Sequence, residues 1–276
     1  MLGSFYSSYL LPIYKALQYG WIVIPFGFLV YAFIKDKKNV KIITPLRSLL
    51  FGIFSFFLAV FPYHAVGRSG FGFGSEWNSR DQLLIPLGAV FITYYIIYTI
   101  CTHFEISFKF RKLIFSCLIA AFILSNVVSG IQFQRDWFKQ LAIIENFKAS
   151  NIIKENTCFI FEDRTLELNA LSRTYRFYEY NGLFKSSFKD EKRFGVETSE
   201  YKTYESLKKL MIYKNKLGFG FKDFDFHEPE YIVIIECGTY QLTLPGTLKF
   251  LMYKYLRPDK FQKHLKDIIT LQYQKI

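Results

Sequence analysis

Four stretches of this sequence, 16–34, 48–66, 83–101 and 113–131, each 19 residues long, contain no lysine, arginine, aspartate or glutamate. That missing charge argues against surface helices of a soluble protein, which keep one polar face. The length is close to the ~20 residues that cross ~30 Å of hydrocarbon, so each stretch is predicted to span a membrane. The first is too long for the apolar core of a cleaved leader and lacks a small-residue cleavage site. His64 and Asn126, the most polar groups of note, fall near predicted outer ends. Ion-coupled transport needs such groups at depth and is therefore disfavoured.

Other absences narrow the chemistry. The four cysteines, Cys101, Cys117, Cys158 and Cys237, form no CxxC pair and no cluster with histidine, so no metal site is predicted. No zinc-protease helix, phosphate-binding P-loop, GxSxG elbow or GxGxxG fingerprint occurs, and no cofactor is expected. The glycine runs at 70–74 and 218–221 follow no strand pattern. His103, His227 and His264 are scattered and read as structural or solvated. The formal charge is +12, yet the polar half shows no basic stripe with interleaved stacking aromatics. Nucleic-acid binding is disfavoured on that ground.

The charge that is present divides the chain. Residues 1–130 carry 11 Lys/Arg and 4 Asp/Glu, whereas residues 131–276 carry 24 and 19. A transmembrane domain over 1–131 and a water-exposed domain over 132–276 follow. Loop 35–47 holds Lys35, Lys37, Lys38, Lys41 and Arg47, and loop 102–112 holds Lys109, Arg111 and Lys112, against Arg68 and Arg80 in loop 67–82. Short loops rich in Lys and Arg stay cytoplasmic. The N-terminus, loop 67–82 and the second domain are therefore expected outside the cytoplasm, with the spans in a bacterial inner or plasma membrane.

Loop 67–82, "GRSGFGFGSEWNSRDQ", combines flexible glycines with Trp77, Arg80 and Asp81 just before the third span. It reads either as a solvated linker with an interfacial tryptophan or as a phosphate clamp. In the second reading Arg80 binds through its planar fork of donors and Asp81 orients it or accepts a proton. Tyr63 and His64 would face the same region.

In the second domain, Trp137, Leu141, Ile144 and Phe147 recur at helical intervals and predict an amphipathic helix within 132–156. "CFIFED" (158–163), "YIVIIEC" (231–237) and "KDIITLQY" (266–273) read as strands, with helices at 201–218 and 247–256. Strands alternating with helices predict a small α/β layer with parallel strands. Cys158 would then begin one strand and Cys237 end its neighbour, on the order of 15–20 Å apart, too far for a disulfide. The densest polar cluster is 171–197. Ser172 is predicted to cap a helix carrying Arg173, Arg176, Glu179 and Tyr180, with Arg176 paired to Glu179. It reads either as a surface helix with internal ion pairs or as an anion site. The second reading joins Arg173, Arg176 and Arg193 to the acids Glu162 and Asp163 at a strand's carboxyl end, where ligands of open α/β sheets bind.

The spans, the W-x-S-R-x-Q pattern of Trp77, Ser79, Arg80 and Gln82, and the Asp136–Trp137 pair opening the second domain carry a resemblance. Together they resemble the C-terminal part of bacterial multispanning envelope proteins similar to GT-C type glycosyltransferases. That resemblance implies a bundle of eight or more spans, a polyprenyl-phosphate sugar donor and a catalytic acid in the first outer loop. This chain departs from the pattern in having four predicted spans and no loop before the first of them, which suggests a truncated enzyme or the partner of one.

Two functional readings follow. In one, the chain acts on lipid-linked sugars at the outer membrane surface: Trp77, Arg80, Arg173, Arg176 and Arg193 bind the ligand, and Asp81 and Asp163 are the candidate catalytic acids. In the other it is a non-enzymatic, membrane-anchored protein whose second domain binds an envelope protein. The expected partners are the lipid bilayer, an anionic lipid-linked ligand such as a polyprenyl-phosphate sugar, and an envelope protein.

Overall fold

A computed structural model describes residues 20–33, 45–65, 85–209 and 227–276. The chain divides into two compact units, Met1–Val127 and Val128–Ile276.

In the first unit, α1 (Gly20–Phe33), α2 (Pro45–Ala65), α3 (Ile85–His103) and α4 (Phe108–Ala149) overlap the charge-free stretches. Among the described residues one helix, α4, is long and apolar enough to cross a membrane. The shorter apolar stretches are Ile22–Phe33, Leu49–Leu58 and Val90–His103. The expectation of four full-length spans is not supported among the described residues, where this one helix qualifies by length and composition alone; parts of the other three stretches lie outside the described residues. Helices α2 and α3 pack backbone to backbone at two glycines. A Cβ on Gly88 would lie 2.7 Å from the Gly52 carbonyl oxygen and 2.7 Å from the Phe56 nitrogen. Small residues at a crossing let the two helix backbones approach closely.

In the second unit α4 continues without a break to Ala149, so the predicted span and the predicted amphipathic helix are one element of 42 residues. Its buried face is rotated from the one predicted. Phe138, Lys139, Ala142, Ile143 and Phe147 are fully buried, whereas Trp137 is 36% exposed. A charged residue sits on the inner face, and apolar periodicity alone could not count it.

A short helix α5 (Asn151–Glu155) leads into β1 (Cys158–Asp163), followed by α6 (Phe177–Phe188), β2 (Phe194–Glu197), β3 (Tyr231–Cys237), α7 (Leu244–Leu256), α8 (Pro258–Leu265) and β4 (Ile269–Lys275). The sheet order is β2-β1-β3-β4. β1 is parallel to both neighbours, with Phe161 opposite Glu197 and Asp163 opposite Ile235. β4 departs from the expected parallel arrangement and runs antiparallel to β3. The reason lies in the connection: α7 and α8 double back, and Gly238 donates to the Ile268 carbonyl at 2.9 Å. The chain thus re-enters the sheet at the end it left. Gly238 is needed there, since a Cβ would stand 2.1 Å from the Asp267 carbonyl oxygen.

Three further expectations shift. Phe194–Glu197, the end of the polar cluster at 171–197, is a buried strand. Of the helix predicted at 201–218, residues 204–209 are helical and 210–218 lie outside the described residues. α8 was not foreseen.

Alternation along β1 covers both faces of the sheet. Phe159 and Phe161 enter the main core with Phe138 and Phe147 of α4, Phe184 of α6, Phe250 of α7 and Phe261 of α8. Cys158 and Ile160 point to a smaller core with Phe177, Phe194, Val196 and Leu207. Period-two alternation puts Asp163 on the same side as Phe161, towards α4.

All four cysteines are free thiols, Cys158 buried and Cys237 exposed. Burial pushes the Cys158 thiol up to about 12; burial, with the Glu167 hydrogen bond, pushes Cys237 up to about 11. In the folded protein a maleimide at mildly alkaline pH should modify Cys237 slowly and Cys158 only after unfolding. A non-reducing peptide map should contain no Cys158–Cys237 link, and finding one would contradict the β1–β3 pairing.

Candidate functional site

The carboxyl ends of β1 and β2 gather the densest polar cluster among the described residues. Asp163, the last residue of β1, accepts from Lys139 Nζ at 2.5 Å, and both side chains are fully buried. Its Oδ1 also accepts from the Thr165 backbone N–H at 2.9 Å and hydroxyl at 2.7 Å, and its Oδ2 from Asn169 Nδ2 at 3.0 Å. Asn169 returns its carbonyl oxygen to Lys139 Nζ at 2.6 Å. Burial raises the Asp163 pKa, but the Lys139 charge and hydrogen bond, joined by Thr165, outweigh it and hold the carboxyl below its ordinary value. Burial holds the Lys139 ammonium below its ordinary value, with Asp163 opposing. The pair is closed off from solvent.

Glu197, which ends β2 on the same face, is 6% exposed. Tyr180 of α6 stacks on Phe161 with ring centroids 4.1 Å apart and 6° between planes, and its hydroxyl donates to Glu197 Oε2 at 2.8 Å. Gly195 leaves room for this stack, because a Cβ there would meet the Phe161 ring at 2.4 Å. Burial raises Glu197 to about 7, helped by the Asp163 charge and opposed by the Tyr180 hydrogen bond.

A second layer centres on Asp136 of α4. It accepts from the Tyr175 hydroxyl, from Gln140 Nε2 at 3.1 Å and from the Ala170 N–H at 3.1 Å. It thereby pins the turn after β1 to the helix.

The predicted ligand-binding arginines separate. Arg173 pairs with Glu179 at 2.5 Å and with Asp136 at 3.5 Å, its guanidinium 5.2 Å from the Tyr175 ring. Arg176 is the N-cap of α6, its N–H bonded to Glu179 at 2.9 Å and its side chain to Glu200 at 2.8 Å. The predicted cap Ser172 instead lies in a 3-10 turn with φ 52°, and the predicted Arg176–Glu179 side-chain pair is replaced by Arg173–Glu179. Arg193 immediately precedes β2, whose first residue pairs with Cys158 at the start of β1, so it sits at the opposite end of the strands from Asp163. There it donates to the Ile153 and Lys154 carbonyls at 2.9 and 3.0 Å and grips Asp190 with distances of 3.0 and 2.9 Å. Glu162 pairs with Arg164 at 2.7 Å on the other face. Trp77, Arg80 and Asp81 lie outside the described residues.

Arg193 is a clasp between α5 and the α6–β2 turn. Arg193→Ala should lower stability by about 2 kcal/mol, in the range for losing charged hydrogen bonds. Arg193→Lys should recover only part, because an ammonium lacks the planar fork that holds several acceptors at once. Thermal melts of the two variants beside wild type test this.

Lys139, Glu197 and Tyr175 were not singled out in the sequence; Asp136 was noted only in the pair opening the second domain and Tyr180 only on the predicted helix. Lys139 could have been noticed, because it stands between Phe138 and Ala142 at a helical interval before Ile143. Among the described residues, no group of three or more His, Cys, Asp or Glu is placed to hold a metal ion. Comparison with known protein families, with curated proteins and with solved structures finds no match.

Proposed function

We propose that this chain is an integral membrane protein with four spans, 16–34, 48–66, 83–101 and 113–131, whose second unit is a binding module rather than a catalyst. The observation that carries this reading is the internal use of the candidate polar groups. Arg173, Arg176 and Arg193 each face a carboxylate of the fold, and Asp163 is sealed against Lys139. A catalyst of phosphate-linked chemistry needs such groups aimed at the place where charge develops. Support for the membrane setting comes from the exposed Phe28, Leu50, Phe54, Phe57 and Val127, the Gly52–Gly88 crossing and an apolar run of α4 that is mostly unburied. The basic segments at 35–47 and 102–112 favour a second unit outside the cytoplasm, where an envelope protein is its expected partner.

Purified full chain incubated with a polyprenyl-phosphate sugar is expected to give no turnover. Turnover that Arg80→Ala abolishes would overturn the binding reading and restore lipid-linked-sugar chemistry at loop 67–82. A reporter fused after Ile276 is expected to be active only outside the cytoplasm.

A further inference from the structure

Helix α7 carries an apolar face that stays exposed among the described residues. Leu244, Leu248, Met252, Tyr255 and Leu256 are 43%, 45%, 59%, 70% and 70% exposed, while Thr247 and Phe250 on the opposite side are buried. At the α-helical 100° per residue, Leu244, Leu248, Met252 and Tyr255 fall within an arc of about 80°, with Lys249 flanking it about 60° beyond Met252 and Lys254 on the side of the buried Thr247 and Phe250. From 240 to 258 the chain has no acidic residue, and Arg257 adds a third cation at the helix end.

The location of this face narrows the occupant. α7 is fastened to α4 just past the last charge-free stretch: Arg135 Nε donates to Thr247 at 3.2 Å, Phe138 packs edge-on to Phe250 at 4.9 Å, and Lys254 Nζ lies 4.1 Å over the Trp137 ring. From Ile131 to Trp137 the helix rises about 9 Å, comparable to the thickness of a headgroup layer. Phe133, one turn before Trp137, is 57% exposed. An aromatic belt residue, a neighbouring apolar stripe and a flanking lysine on a flexible stem are the composition of a helix lying in the lipid interface.

Resting on the reading of α4 as a membrane span, we propose that α7 docks on the bilayer surface from which α4 emerges. Leu244, Leu248, Met252 and Tyr255 enter the acyl boundary, and Lys249 and Arg257 meet anionic headgroups. The second unit is then held against the membrane at two points instead of swinging on one helix.

The test places p-benzoylphenylalanine singly at Leu248, at Met252 and, as an exposed control, at Lys192. Each full-length chain is reconstituted in phosphatidylcholine vesicles with or without phosphatidylglycerol and irradiated. Lipid adducts several-fold above the Lys192 control are expected at Leu248 and Met252. With phosphatidylglycerol present, Lys249→Glu with Arg257→Glu should lower them several-fold. Adducts to protein in place of lipid, or lipid yields equal to the control, would overturn the docking. Alkaline carbonate extraction of the same vesicles separates the two readings. A chain that remains with the membrane but gives no lipid adduct sinks only the docking, whereas a chain released into the supernatant removes the spanning reading and the docking with it.

Discussion

Lys139→Met is expected to destabilise the second unit by about 3–5 kcal/mol, the range for leaving one member of a buried ion pair uncompensated. Asp163 would keep its Thr165 and Asn169 donors but lose the positive charge at hydrogen-bond distance. Hydrogen exchange of the β1 and β3 amides in the detergent-solubilised full chain reads the loss directly. Lys139→Met combined with Asp163→Leu should regain much of it, because two apolar groups demand nothing of each other. A single-variant loss under about 1 kcal/mol would mean that the pair is not closed as described. The pH dependence has a definite sign. Asp163 is held below its ordinary carboxyl value, so its contribution is complete above the unfolded pKa of about 3.9 and disappears as pH falls through the lower folded value. The wild-type advantage over Lys139→Met should therefore shrink only in acid.

Glu197 should act in the opposite sense. Its folded carboxyl is raised to about 7 from 4.5, so between those values the folded protein binds more protons than the unfolded chain. Stability then falls as pH rises through that window and levels off above it. At 1.36 kcal/mol per unit the fall could reach about 3 kcal/mol. Glu197→Gln is expected to flatten the slope and to be more stable than wild type by about 1–3 kcal/mol above neutrality, where the wild-type carboxylate is buried and charged. Melting temperatures of both proteins measured across pH 4 to 9 decide the matter; parallel curves would refute a raised Glu197.

Both groups show why part of the centre was not legible in the sequence. Asp163 was singled out as the acid ending a strand. Its partner lies 24 residues away on a helix whose apolar phase suggested a different inner face. Glu197 looked like one of many acids in a charged stretch, because a strand of four residues is too short to show a period. Arg173, Arg176 and Arg193 lie within 21 residues of one another, and nearness along the chain suggested a joint site. The helix α6 between the second and third carries Arg193 to the other end of the strands. Proximity in sequence is not convergence in space when a regular element intervenes.

The sequence alone determined where charge is missing, the division into an apolar and a charged part, and the strands at 158–163 and 231–237. These depend on local composition, which every residue carries with it. Only the tertiary structure decided that α4 runs unbroken between the two parts, that β4 turns antiparallel, and that the arginines spend their charge on the fold. Those outcomes depend on which distant groups can satisfy a buried charge, and on which end of the sheet a returning chain reaches. No window of neighbouring residues contains that information.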